Sequence, residues 1–141
     1  MGRSVIRTVL TAALLAVLVC GCAIFGKGPT DEELIASRIE GMKAAFLAKD
    51  LDKIMDGYSE DYEGEMAGSK EEMRDFIAGA IDQGMLDDIE VDTSEAETKI
   101  DGDTATVEPV ELSTAMGSLV VGYELKKEAD GAWRVVGTYQ Y

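Results

Sequence analysis

The order of the periodic segments predicts an α+β domain, with three helices first and a four-stranded antiparallel sheet after them. Two capping boxes mark helix starts, and after Asp87 the apolar spacing switches from helical to alternating. The pairs Asp101-Gly102 and Asp130-Gly131 then separate alternating segments, as hairpin turns require.

Thr30-Asp31-Glu32-Glu33 opens the first helix: the Thr side chain can cap the N3 amide while Glu33 reaches back to the Thr amide. Ile35, Ile39, Met42 and Phe46 follow on one stripe to about Lys49. Asp50 caps a short second helix whose face holds Leu51, Ile54, Met55 and Tyr58. Tyr62–Met66 reads as a short strand ended by Gly68. Ser69-Lys70-Glu71-Glu72 is the second capping box, and Met73, Phe76, Ile77, Ala80 and Ile81 form the stripe of the third helix to about Gly84.

The first sheet strand carries Ile89, Val91 and Thr93, alternating with Glu90, Asp92 and Ser94. In the second, Ala105 and Val107 share a face, but the series resumes out of phase at Val110 and Leu112. Pro109 stands at the slip and cannot donate to a ladder, so a β-bulge is expected there. A third strand carries Leu119, Val121, Tyr123 and Leu125, and a fourth Trp133, Val135, Tyr139 and Tyr141.

Ahead of this domain, Arg3 and Arg7 precede an apolar run, Val9–Val19, whose 11 residues suit a signal-peptide h-region. A bilayer-spanning helix needs roughly 20. Val19-Cys20-Gly21-Cys22 follows, and it resembles the lipobox of bacterial lipoproteins, with the small Gly21 directly before the lipidated cysteine. Cys20 fits less well, because bulky Val19 would precede it. The resemblance implies cleavage before Cys22, thioether diacylglycerol on its sulfur and acylation of the new amino group, palmitate-type chains that together anchor stably. Ala23, which is not the Asp of inner-membrane retention, then implies an outer-membrane position facing the periplasm where the host has two membranes. The expected organisation is a signal peptide over 1–21, a lipidated tether over 22–29 and a domain over 30–141.

The formal charge is −15, and removal of Arg3 and Arg7 with the leader takes it to −17. Such a surface keeps the protein soluble and repels phosphate backbones, so nucleic acid is excluded as a partner. The chain has no His, and Cys22 would be the one cysteine left after cleavage. Ser-His-Asp and Cys-His catalysis and His/Cys zinc sites are therefore excluded. With no Gly-rich phosphate loop either, no cofactor is expected. The acidic runs Glu60, Asp61, Glu63, Glu65 and Asp87, Asp88, Glu90, Asp92 match no dedicated calcium loop and read as solvated faces, so no metal is assigned.

The order of elements also resembles the nuclear transport factor 2-like superfamily, which includes the polyketide cyclase and ketosteroid isomerase families. The residues that carry the likeness are Lys49-Asp50-Leu51-Asp52-Lys53-Ile54-Met55 with Tyr58-Ser59-Glu60-Asp61-Tyr62, then Asp101-Gly102-Asp103-Thr104-Ala105-Thr106-Val107 and Asp130-Gly131-Ala132-Trp133-Arg134-Val135-Val136. They span about 31–141 and are structural motifs. The resemblance implies a cone, in which a bent sheet wraps the helices and leaves a pocket against its concave face. Such a fold hosts many functions, so function has to come from side chains.

Three readings follow. The domain binds a small apolar ligand or a protein partner without catalysis, and Tyr58, Tyr62, Tyr123, Trp133 and Tyr139 are the ligand-binding candidates. It is a His-free isomerase or cyclase, with Tyr58, Tyr62 or Tyr123 as donor and Glu108 or Glu111 as base. Or it is a structural module that forms a homodimer through its exposed sheet.

Overall fold

A computed structural model describes residues 28–141. The expected signal peptide, Cys22 and the start of the expected tether lie outside the described residues.

Helix α1, Asp31–Ala48, begins with the complete capping box: Glu33 N donates to Thr30 Oγ1 and Thr30 N donates to Glu33 Oε2 at 2.8 Å. Its buried stripe is Ile35, Ile39, Met42, Ala45 and Phe46. Lys49 ends it in the left-handed region, φ 53°, and hands the chain directly to Asp50, which caps α2, Leu51–Asp56. Helix α3, Lys70–Asp82, starts on Ser69, but only half of the expected box forms. Glu72 N donates to Ser69 Oγ, whereas the Glu72 carboxylate takes the amide of Gly68, one residue earlier.

The sheet is antiparallel and has five strands, where four were expected: β1 Glu90–Asp92, β2 Glu97–Asp101, β3 Thr104–Thr114, β4 Gly117–Lys127 and β5 Trp133–Gln140. The extra strand comes from a break in the first. β1 pairs with Glu111–Ser113 of β3 and β2 with Thr104–Glu108, both along the same edge. Between them the chain leaves through a turn at Thr93–Ala96, closed by Ser94 N on Asp92 Oδ1 and Ala96 N on Thr93 O. Pro109, with no amide to offer, sits in the stretch of β3 that this turn bypasses.

The bulge at Pro109 is present. Val107 pairs with Tyr123 and Val110 with Val121, so β3 spends one residue more than β4 over that interval. Ala105, Val107 and Val110 consequently all reach the core face. A second bulge, not expected from the sequence, lies in β5: Glu124 pairs with Gly137 but Leu125 with Val135, leaving Val136 over. It reverses the phase of β5, so that Trp133, Val135 and Thr138 are buried while Tyr139 turns to the opposite face. Four aromatic and aliphatic positions expected on one face are thus divided between two.

Tyr62–Met66 is not a strand. Glu63 N and Glu65 N donate to Val136 O and Thr138 O of β5, but Gly64 N closes a turn on Ala67 O instead of continuing a ladder. With Tyr58 bridging Val135, residues 58–65 cover the free edge of β5. The core between helices and sheet runs from Ile35 to Val135, with Ile35, Ile54 and Val135 fully enclosed, so the described domain has a core of its own.

Candidate functional site

The open end of the cone holds an apolar cavity of about 220 Å³. Phe46 enters from the last turn of α1, and Met73, Phe76, Ile77 and Ala80 come from one face of α3. Met85, Leu86 and Ile89 follow from the segment after α3, and Leu112, Leu119, Val121 and Tyr123 from β3 and β4. Phe76 lines this cavity and is still 51% exposed, which places it at the mouth. The capped start of α3 explains the geometry: it sets the helix phase that aims Met73, Phe76 and Ile77 at the sheet, while the Pro109 bulge keeps β3 curved toward them.

Among the described residues no Asp, Glu, Lys or Arg lines the cavity. Its polar groups are Tyr58, Tyr123, Thr138 and Thr114. Tyr62 stands beside them, ring centroids 5.2 Å from Tyr58 in an edge-on arrangement, its hydroxyl hydrogen-bonded to that of Thr138. Gly64 makes room for this pair, since a Cβ there would collide with the Tyr62 hydroxyl and lie 2.9 Å from Thr138 N. Burial pushes the Tyr58 phenol well above its ordinary value and raises Tyr123 as well, and Tyr62 beside them, with Tyr123 for Tyr58, raises each further. Tyr62 is raised by burial, partly offset by the Thr138 bond. All three are neutral phenols at physiological pH.

The sequence candidates therefore separate. Tyr58 and Tyr123 line the cavity, with Tyr62 bonded to its Thr138 wall. Trp133 lies at the opposite, closed end of the cone, 1% exposed, its indole N–H donating to Asp31 Oδ1 at 3.1 Å. Tyr139 is on the outer face, its ring over Gly122, where a Cβ would meet it, and its hydroxyl donates to Glu108, as does that of Tyr141. These two bonds lower the Glu108 pKa, and Glu108 with its tyrosines faces away from the cavity. Glu111 is exposed and bonded by Ser113 at 3.4 Å. Neither candidate base reaches the cavity.

Sequence reasoning missed most of the lining. Met73, Phe76 and Ile77 were legible as an apolar stripe, and its breadth was the signal: Phe76 extends the stripe beyond what the core covers. A second, polar cleft lies between Arg38, Asp56, Glu60, Lys70, Glu128 and Arg134. Its charges are largely mutual, Lys70 on Glu60 at 2.5 Å and Arg134 on Glu128 at 2.6 Å. Among the described residues no group of three or more His, Cys, Asp or Glu is arranged to hold a metal, and no helix is long and apolar enough to cross a membrane.

The class defined by this fold, three helices on a curved antiparallel sheet around a pocket, is the nuclear transport factor 2-like cone. Solved structures share it. A protein of unknown function with a cystatin-like fold from Nostoc punctiforme is 18% identical over 81% of this chain and 93% of its own, TM-score 0.64. A nuclear transport factor 2-like protein of unknown function from Shewanella oneidensis is 16% identical over 79% and 98%, TM-score 0.63. A ketosteroid isomerase-like protein from Erwinia carotovora is 21% identical over 77% and 95%, TM-score 0.59. At these identities the likeness is one of fold. No protein-family profile matches the chain, and no curated protein matches it in sequence.

Proposed function

We propose that this protein is a cell-envelope lipoprotein whose cone pocket holds a small apolar ligand without transforming it. The observation that carries the binding reading is the cavity itself, open at Phe76, apolar along its walls and without a carboxylate, amine or guanidinium inside. An isomerase of the tyrosine-and-carboxylate kind needs a base at the substrate, and Glu108 and Glu111 are on the outer side of the sheet. Pockets of this shape and lining suit ligands better than they suit water.

The envelope position rests on Arg3, Arg7, the Val9–Val19 run and Gly21-Cys22. Lipid on Cys22 would hold the acidic domain at a membrane through the tether, at the outer membrane facing the periplasm in a two-membrane host.

Each half has its own test. Cys22→Ala should move the protein from the membrane to the soluble fraction, and persistence in the membrane would refute the anchor. Native mass spectrometry of the mature chain, secreted behind a leader without a lipobox, should find a retained small-molecule mass. An apo monomer under those conditions would count against ligand binding, and a dimer would favour the structural reading.

A further inference from the structure

We infer that the pocket takes uncharged ligands bearing a hydrogen-bond-accepting oxygen and rejects carboxylate amphiphiles of the same chain length. This rests on the binding reading above and specifies its ligand. Three observations carry it.

Two buried phenols at the cavity have no side-chain partner among the described residues. Among the described residues Tyr62 bonds Thr138 and Tyr139 and Tyr141 bond Glu108, whereas the hydroxyls of Tyr58 and Tyr123 have no side-chain partner. Both residues are nearly fully buried. No enclosed side-chain polar atom among the described residues is left unpaired, so these two hydroxyls reach open space, which for Tyr123 is the apolar cavity; Tyr58 also borders the polar cleft. A phenol in that position donates to an acceptor that the protein does not supply.

Among the described residues the cavity also has no counterion. None of its walls carries Lys or Arg, and a carboxylate brought there would lose its hydration without a cation to replace it. Finally, the surroundings are negative. From Asp75 to Leu125, which supplies most of the lining, Lys99 is the single basic residue, and it lies 3.8 Å from Glu108 on the outer face. Arg74, beside the lining residue Met73 on α3, is paired with Asp52 at 2.6 Å. Lys49, beside the segment after α3, is already paired with Asp87. The field at the mouth therefore opposes an anion before it enters. Burial holds both phenols protonated, so they remain donors across physiological pH.

The test uses the mature chain and three decyl probes, decan-2-one, decanoate and decane, titrated by NMR at neutral pH. Decan-2-one should bind about tenfold or more tightly than decanoate and severalfold more tightly than decane. Tyr123→Phe should bring the ketone down toward decane while leaving decane unchanged, and Tyr58→Phe gives the same readout should the first variant fold poorly. Decanoate binding as well as the ketone would overturn the inference, as would a ketone-to-decane ratio unmoved in both variants. Failure of all three probes to bind would instead sink the pocket reading itself.

Discussion

The two ends of the cone use the same kind of side chain in opposite ways. At the closed end Trp133 is buried with its indole N–H on Asp31, while Asp31 also pairs with Lys127 at 2.8 Å and Arg38 Nε donates to Trp133 O at 2.8 Å. The indole N–H, the Trp133 carbonyl and the Asp31 carboxylate there are all bonded within the protein. At the open end Tyr58 and Tyr123 are also buried, yet among the described residues their hydroxyls have no side-chain partner. An aromatic residue with a polar tip stabilises the fold when both parts are satisfied, and it forms a recognition group when the tip is left for something else. The closed end spends its polar tips on the fold, and the open end is where the proposed ligand would meet unspent ones.

Substitutions sharpen that contrast. Trp133→Ala should cost about 3–5 kcal/mol in chemical denaturation, a large share of the ~5–15 kcal/mol typical of a domain. A loss below about 1 kcal/mol would mean that the closed end is not the structural anchor. Tyr62→Phe, which strands the buried Thr138 hydroxyl, should cost about 1–3 kcal/mol. Tyr123→Phe, one strand away, should change stability by no more than about 0.5 kcal/mol, because no side-chain bond is lost. Equal losses in the two tyrosine variants would erase the distinction between bonded and vacant phenols.

The smallest effect concerns pH. Bonds from Lys127, and then from Trp133, hold the Asp31 carboxyl below its ordinary range. A depressed folded-state pKa contributes stability that is present above the unfolded value of about 3.9 and is lost as pH falls through the folded one. Asp31→Asn should therefore lower the urea midpoint at neutral pH, and the gap from the parent should close as pH drops below about 4. A gap independent of pH would place the effect in packing instead of charge.

Much of this architecture was legible along the chain. The starts of α1, α2 and α3 follow from Thr30, Asp50 and Ser69, because a cap is made within three residues of itself. The Pro109 bulge was legible for a similar reason, as proline and a phase slip coincide there. The bulge at Val136 was hidden, since Val135-Val136 suits either phase and no proline or charge marks the change. That concealed step is why Tyr139 reads as a partner of Trp133 although the two face opposite sides. The break after β1 was harder to see, because the turn that Asp92 and Thr93 close lies opposite Pro109, a residue distant along the chain.

What the sequence determined by itself is local: helix starts, turn positions, the acidic balance and the absence of histidine. These depend on residues a few positions apart or on composition, and neither needs a fold to be read. What only the tertiary structure decided is which buried groups meet. Whether Tyr123 or Trp133 finds a bonding partner depends on Tyr62, Thr138 and Asp31, which lie far from them in the chain for the most part. The cavity exists because a curved sheet and α3 stop short of closing on each other, and such a space is a property of the packing, not of any segment within it.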